Sequence, residues 1–162
     1  MDPRVEAERL AELYADAILR LSYTYLKNTH DAQDICQTVF LKFLLHPVEF
    51  ETPRQERAYL LRMAANACKD LLKSAWYRRT CALEEGEHIP APAENFDDSV
   101  LELVNRLPEK YRVVLYLHYY EGLTAKEIGT ICKLPAATVN TRLKRGREKL
   151  KQELGGNRDA CI

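Results

Sequence analysis

The sequence contains long runs with neither glycine nor proline, the two residues that most often interrupt regular structure. Only 6 of its 162 residues are glycine, and residues 4–46 and 54–85 contain neither type. Within these runs, apolar residues recur at three- and four-residue steps, as they do on the buried side of an amphipathic helix. The hydrophobic fraction of 46% is enough for a packed core. The pattern therefore predicts an all-α protein.

Three helices are predicted in the first half of the chain. They cover about 6–27, 31–45 and 53–76. The third is expected to begin at Pro53 or Arg54, and proline suits a first helical position. Short connections between the three helices indicate one small all-α domain over residues 1–77.

The sequence changes character after this domain. Residues 78–96 contain two prolines, one glycine and four glutamates, with little periodicity, and are predicted to be a flexible linker. A second small helical domain is predicted over residues 97–155, followed by a frayed tail over 156–162. Its helices are expected at about 97–106, 109–121, 125–132 and 136–154.

Several residues are expected to begin or end these helices. Thr29 or Asp31 is predicted to cap the second helix, and Gly122 to stop the fifth. Thr124 is followed three residues later by Glu127, which is the spacing of a capping box. Seven residues are predicted to form the buried side of the third helix: Tyr59, Leu60, Met63, Ala64, Ala67, Leu71 and Leu72.

Residues 124–147 have the spacing of a helix-turn-helix. Apolar residues occur where two crossing helices must bury side chains: Ile128, Cys132, Leu134, Val139 and Leu143. Gly129 is small where the second helix is expected to pack closest. The second domain is therefore predicted to contain a DNA-binding motif.

Charge distribution supports this interpretation. The whole chain is neutral, with 24 basic and 24 acidic residues, but residues 101–162 hold 12 basic and 7 acidic ones. A helix fits the major groove of DNA, where its first residues reach base edges and flanking residues reach phosphates. We expect base contacts from Asn140, Thr141 and Lys144. We expect backbone contacts from Thr138, Arg142, Arg145 and Arg147.

Five widely spaced cysteines without a C-x-x-C pair argue against a disulfide framework or a zinc site, and no metal or other cofactor is expected. The first residues lack the apolar core of a signal peptide, and nowhere do 18 apolar residues run together. The chain is therefore expected to be cytoplasmic and not inserted in a membrane.

Three segments together resemble extracytoplasmic-function sigma factors of the sigma-70 family. Residues 25–43, YLKNTHDAQDICQTVFLKF, and 58–72, AYLLRMAANACKDLL, are similar to region two of that family. Residues 107–150, beginning LPEKYRVVL, are similar to region four. The resemblance implies a non-enzymatic subunit that binds RNA polymerase core and directs promoter-specific transcription initiation. Region two would read the minus-ten element and region four the minus-thirty-five element.

The resemblance also implies roles for residues of the first domain. The surface for the β′ clamp helices of polymerase would comprise Asp31, Asp34, Gln37, Phe40 and Leu41. The pocket for an extruded minus-ten base would comprise Phe50, Arg54, Tyr59, Arg62 and Asn66. Other implied partners are the polymerase β flap, promoter DNA and an anti-sigma factor.

Three other interpretations were open from the sequence. A response-regulator-like transcription factor would need a receiver domain with strands, which residues 1–77 do not suggest. An enzyme would need a motif such as a phosphate-binding glycine loop, H-E-x-x-H or G-x-S-x-G, and none occurs. A helical adaptor without DNA contact would leave the basic helix simply solvated. Tyr59 and Met63 could also be ordinary core residues.

Overall fold

The fold is described by a computed structural model that covers residues 2–74 and 98–161. The chain divides into two compact units, Met1–Pro90 and Ala91–Ile162. Every regular element within the described ranges is a helix, so the predicted all-α class is confirmed. The predicted linker, residues 78–96, lies outside the described residues.

The first unit contains α1 (Pro3–Leu26), α2 (Thr29–Leu45) and α3 (Pro53–Lys73). α1 begins earlier than predicted because the Asp2 carboxylate accepts a hydrogen bond from the backbone N–H two residues on, at 2.9 Å. An acid in this position satisfies one of the unpaired N–H groups at a helix start. α3 begins at Pro53 as predicted, and the predicted end at residue 76 lies outside the described residues.

Asn28 caps α2, and the prediction of Thr29 or Asp31 was wrong. The Asn28 side chain accepts a hydrogen bond from the backbone N–H of Asp31 at 3.0 Å. α1 ends at Lys27, whose φ of 53° is left-handed, and Asn28 alone is extended before α2 begins. The cap is therefore set by where α1 stops, which leaves the two predicted residues inside the helix.

The three helices of the first unit pack against one another around one apolar core. Its most deeply buried residues are Leu10, Ile18, Leu21, Val39, Phe43, Leu60 and Leu61. Leu13 belongs to the apolar pattern of α1 but is 59% exposed. Apolar spacing of this kind favours the inner side of a helix, whereas the packing of α1 leaves Leu13 in solvent.

The buried side of α3 differs from the predicted one. Leu60 and Ala64 are buried as expected, but the other five predicted residues are only partly buried. The buried set is completed by Glu56, Leu61, Ala65 and Cys68. Because α3 packs against both α1 and α2, its inner side is rotated from the stripe predicted from apolar spacing. The rotation leaves the side with Tyr59 and Asn66 accessible.

The second unit contains four helices in its described part, and α7 packs against the other three. They are α4 (Asp98–Arg106), α5 (Glu109–Tyr119), α6 (Ala125–Cys132) and α7 (Ala136–Cys161). The predicted capping box at the start of α6 is confirmed. Thr124 Oγ1 accepts from the Glu127 N–H at 3.2 Å, and the Thr124 N–H donates to Glu127 Oε1 at 3.0 Å.

Two glycines shape the chain around α6. Gly122 was predicted to stop α5, but that helix ends earlier, at Tyr119, with Tyr120 as its C-cap. Gly122 lies in the connection to α6 with a φ of +69°, a left-handed conformation that glycine adopts without steric cost. A Cβ on Gly129 would lie 2.5 Å from the carbonyl oxygen of Leu134. The same Cβ would lie 3.6 Å from the backbone N of Ala136, the first residue of α7. Gly129 therefore faces both the turn and the start of the second helix of the motif.

α7 continues to Cys161, so the prediction that this helix ends at about residue 154 was wrong. Two consecutive glycines, Gly155 and Gly156, raise the cost of helix but do not remove its backbone hydrogen bonds. Within residues 2–74 and 98–161, no helix is both long and apolar enough to cross a membrane.

Candidate nucleic-acid interface

The turn of the helix-turn-helix is built by residues 133–135 between α6 and α7. Lys133 has a φ of 58° and ends α6 in the left-handed conformation, its N–H donating to the Gly129 carbonyl. Ile128 and Val139 are completely buried on the two sides of the turn. The predicted motif is therefore formed, and it holds α7 in a fixed direction.

α7 buries one narrow side and leaves the rest in solvent. Val139, Leu143 and Gly146 lie on the buried side. A Cβ on Gly146 would lie 3.0 Å from Leu115 Cδ1 and 3.3 Å from Tyr111 Cβ, both on α5. The missing side chain thus lets α7 approach α5 closely. The burial of Gly146 was not predicted, because a glycine within a run of basic residues does not contribute to the apolar pattern of a helix.

A groove lies between the first turn of α5 and the exposed side of α7, with a volume of about 380 Å³. Four of the seven residues predicted to read the minus-thirty-five element line it: Thr138, Thr141, Arg142 and Arg145. Lys110 and Tyr111 of α5 and Ala137 complete the lining. We call this the basic groove, because three of its seven lining residues are cations and none is an acid.

Lys110 was missed by sequence analysis, and only the packing of α5 on α7 brings it to this groove. Its ammonium group lies 5.0 Å from the ring centre of Tyr111, and Lys149 lies 5.8 Å from the same ring. These distances are typical of cation–π contacts. Tyr111 thus contacts one cation from each helix, and Lys110 lines the basic groove with Arg142 and Arg145, where these three cations can bind phosphate oxygens.

The other three predicted residues lie elsewhere on α7. Asn140, Lys144 and Arg147 are all exposed, and at 3.6 residues per turn their spacing places them along one side of the helix, away from the basic groove. Arg147 donates from Nη1 to the Tyr119 hydroxyl at 3.2 Å. The predicted DNA-binding set therefore divides into two sides of one exposed helix.

The loop between α2 and α3 is anchored in the first unit by Phe50. Its ring centre lies 6.4 Å from that of Phe43 and 5.3 Å from that of Tyr59. Phe50 and Tyr59 are both half-buried, so each packs on the fold while part of its ring stays accessible. An aromatic surface of this kind can stack on a nucleotide base.

Polar residues continue this surface along α3. Arg62 is exposed and Asn66 half-buried, and with Tyr59 they are spaced so as to share one side of the helix. The Asn66 amide forms no hydrogen bond within the part of the chain that the structure describes. Arg54 is exposed in the first turn of α3. Phe50 thus lies on the loop, and Tyr59, Arg62 and Asn66 lie on one side of α3, whereas Arg54 faces a different direction in the first turn.

The predicted polymerase surface lies on α2. Asp34, Gln37 and Leu41 are exposed, and Asp31 and Phe40 are half-buried. Leu41 is 58% exposed and is followed by two further exposed leucines, Leu44 and Leu45. The side is thus polar near the helix start and apolar near its end. Leu45 was not singled out from the sequence because neighbouring apolar residues in a helix usually suggest core.

Three cysteines whose side chains the structure describes are free thiols: Cys36, Cys68 and Cys132. Burial, together with the charge of Asp16, raises the pKa of the Cys36 thiol, which disfavours the reactive thiolate. Among the residues that the structure describes, no group of histidine, cysteine or acidic side chains is arranged to hold a metal ion.

Comparison with known proteins follows the same division of the chain. Residues 10–78 match the family model described as "Sigma-70 region 2", and residues 97–150 match "Sigma-70, region 4". The chain is 34% identical to the ECF RNA polymerase sigma factor SigW of Bacillus subtilis, over 90% of this chain and 87% of that protein. It is 30% identical to the ECF RNA polymerase sigma factor SigE of Mycolicibacterium smegmatis, over 91% of this chain and 61% of that protein.

Two solved structures share the fold. The sigma factor RpoE of Bartonella quintana, solved in complex with the anti-sigma factor NepR, has a TM-score of 0.72 at 19% identity, covering 91% of this chain and 96% of that one. CnrH, solved in complex with the cytosolic domain of CnrY, has a TM-score of 0.66 at 22% identity, covering 94% of this chain and 90% of that one.

Proposed function

The chain belongs to the extracytoplasmic-function sigma factors of the sigma-70 family, and from this premise we propose how its two units divide the work of promoter recognition. As a sigma factor it binds RNA polymerase and directs promoter-specific transcription initiation, without being an enzyme. The proposed division gives the first unit, residues 1–77, the polymerase clamp and the minus-ten element. It gives the second unit, residues 97–155, the minus-thirty-five element.

The basic groove is the main support for assigning the minus-thirty-five element to the second unit. The exposed start of α7 enters the major groove, where Asn140, Thr141 and Lys144 face base edges. Lys110, Arg142 and Arg145 bind phosphates on one flank, and Thr138 adds a hydroxyl there. Arg147, which lies beside Tyr119, binds phosphates on the opposite flank. Base contacts give specificity, while the phosphate contacts set register and most of the affinity.

The aromatic surface of the first unit supports the minus-ten assignment. Extruding a base from duplex DNA costs a few kcal/mol, which a fitted pocket can offset. Stacking on an aromatic ring contributes about 1–3 kcal/mol per base. Phe50 and Tyr59 offer ring surface, Asn66 offers an amide for a base edge, and Arg54 and Arg62 offer charge for the backbone.

The exposed side of α2 supports the polymerase assignment. Asp31, Asp34 and Gln37 offer polar contacts to a basic helix pair such as the β′ clamp helices. Phe40 and Leu41 add apolar surface next to them, as in the buried centre of a protein interface. We assign the β flap to the second unit.

An anti-sigma factor is proposed as a further partner, because the similar sigma factor RpoE of Bartonella quintana was solved in complex with the anti-sigma factor NepR. Such a partner would mask the polymerase-binding surfaces. The chain is proposed to act in the cytoplasm, where polymerase and the chromosome are found.

In vitro transcription with core polymerase and a randomised promoter library tests the whole proposal. We expect the wild-type chain to select two sequence elements at a preferred spacing. The double variant Arg142→Glu/Arg145→Glu should lose selection of the upstream element but still co-elute with core polymerase.

The matched control is Arg106→Glu, an exposed charge reversal on α4. Arg106 pairs with Glu102 at 3.2 Å on the exposed surface of α4, and such exposed pairs contribute little. If the double variant selects the same upstream element as the wild type, α7 is not the reader.

A further inference from the structure

A cluster of polar side chains joins α1 to the first turn of α3. The Tyr14 hydroxyl lies 3.2 Å from the Pro53 carbonyl oxygen and 3.0 Å from Glu56 Oε1. The Arg9 guanidinium pairs with the carboxylates of both Glu56 and Glu6. We call these five residues the α1–α3 brace. Its contacts join positions up to 47 residues apart in the chain.

The brace is not an ordinary surface ion pair, because its central acid is buried. Glu56 is only 7% exposed, and a buried carboxylate is costly unless it is paired and hydrogen-bonded. Arg9 supplies the opposite charge, and Tyr14 supplies an O–H donor. Burial, followed by the hydrogen bond to Glu56, raises the pKa of Tyr14. The hydroxyl therefore keeps its proton at neutral pH and remains a donor.

The brace lies where the loop between α2 and α3 enters α3. Thr52 caps the helix by accepting from the Gln55 N–H at 3.1 Å, and the Glu51 N–H donates to Gln55 Oε1 at 2.7 Å. These bonds tie the end of the loop to α3, and the brace ties the same turn of α3 to α1. Phe50 immediately precedes this pinned segment and lies between the rings of Phe43 and Tyr59.

We propose that Tyr14 and Arg9 are positioning residues for minus-ten recognition. They touch no DNA themselves. By holding the start of α3 against α1, they hold the loop and Phe50 at the position where a base is discriminated. The proposal rests on the proposed minus-ten role of that loop. A small displacement of Phe50 would weaken its binding to a base, because stacking and hydrogen bonding are short-ranged.

The test uses holoenzyme and fluorescent single-stranded oligonucleotides that carry the selected minus-ten sequence or a substituted base within it. The readout is discrimination, the ratio of the two dissociation constants. Tyr14→Phe removes only the hydroxyl and should lower discrimination about five-fold, the equivalent of about 1 kcal/mol for one hydrogen bond. Arg9→Met should act in the same direction, and Arg9→Lys should restore part of the loss because it keeps the charge.

Ile18→Val is the matched control, because Ile18 is a fully buried α1 residue outside the brace. It should lower thermal stability without lowering discrimination. If discrimination falls in proportion to the loss of thermal stability in both Tyr14→Phe and Ile18→Val, the brace is only structural and the proposal is wrong. If wild-type holoenzyme discriminates and Tyr14→Phe discriminates equally, the proposal also fails. If wild-type holoenzyme has no base preference, the minus-ten role of the loop itself is wrong.

Discussion

At the scale of single residues, two glycines show how little space separates the helices of the second unit. A Cβ on Gly129 would meet a backbone oxygen at 2.5 Å, whereas a Cβ on Gly146 would meet the end of the Leu115 side chain at 3.0 Å. Backbone in a tight turn cannot move aside, while a side chain can shift by a few tenths of an ångström. The two positions therefore tolerate a methyl group differently, although both lie within helices.

Gly129→Ala is expected to destabilise the second unit by about 1–2 kcal/mol. Steric overlap with the Leu134 carbonyl outweighs the roughly 1 kcal/mol that alanine contributes through helix propensity. Denaturant unfolding followed by circular dichroism measures the loss. Gly146→Ala is the comparison and should cost less. Equal stability of Gly129→Ala and wild type would mean that the turn is not tightly packed against α6.

The Tyr14 hydroxyl provides a second prediction at this scale. Its pKa is raised in the folded protein, so the stability that it contributes is present below the unfolded value near 10 and is lost as pH rises through the folded value. Wild-type stability should therefore fall more steeply above pH 10 than that of Tyr14→Phe. Denaturant unfolding at pH 8 and pH 10.5 measures the difference, and parallel curves for the two proteins would contradict the prediction.

At the scale of elements, α5 and α7 together make a surface that neither helix has alone. α7 supplies Arg142 and Arg145, and α5 supplies Lys110 across the basic groove. A single basic helix could simply be solvated. A concave site lined by cations from two helices is suited to bind the phosphate backbone, and it predicts that both helices contribute to the salt dependence of promoter binding.

We expect Lys110→Gln and Arg145→Gln each to reduce the slope of log affinity against log salt concentration by about 1, because each removes one phosphate contact. The slope is measured by fluorescence anisotropy of holoenzyme on promoter DNA over a series of salt concentrations. Arg106→Gln, on the exposed surface of α4, is the control and should leave the slope unchanged. An unchanged slope for Lys110→Gln would mean that α5 is not part of the DNA interface.

At the scale of the whole molecule, two compact units are connected through residues 78–96. Each unit has its own core, and the proposed DNA elements are read by different units. We therefore expect the connection to limit how far apart the two elements can be. Composition rich in proline and glutamate is typical of a tether rather than of a packed segment.

Inserting about six glycine and serine residues into 78–96 should let holoenzyme use promoters with longer spacing between the two elements, because a longer flexible chain spans more distance. Transcription from a set of promoters that differ only in spacing measures the change. Initiation at the wild-type spacing should persist at a reduced level. An unaltered spacing preference would mean that the linker does not set promoter geometry.

The sequence by itself determined the class of the fold, the order of the helices and most of their starts. These features depend on local signals, such as Pro53 at a first helical position and the Thr124–Glu127 capping box. The resemblance carried by three segments was also sufficient for the family. Such properties are readable because they depend on neighbours along the chain.

Only the tertiary structure decided which sides of the helices are buried and which residues meet across them. Asn28 caps α2 because of where α1 ends, and α3 is rotated because it packs on two helices at once. Lys110 reaches the basic groove because Gly146 allows α7 to lie close to α5. Tyr14 lies next to Glu56 because α1 packs against α3, although the two residues are far apart in the sequence. Packing between distant segments depends on the shapes of both surfaces, which local spacing does not encode.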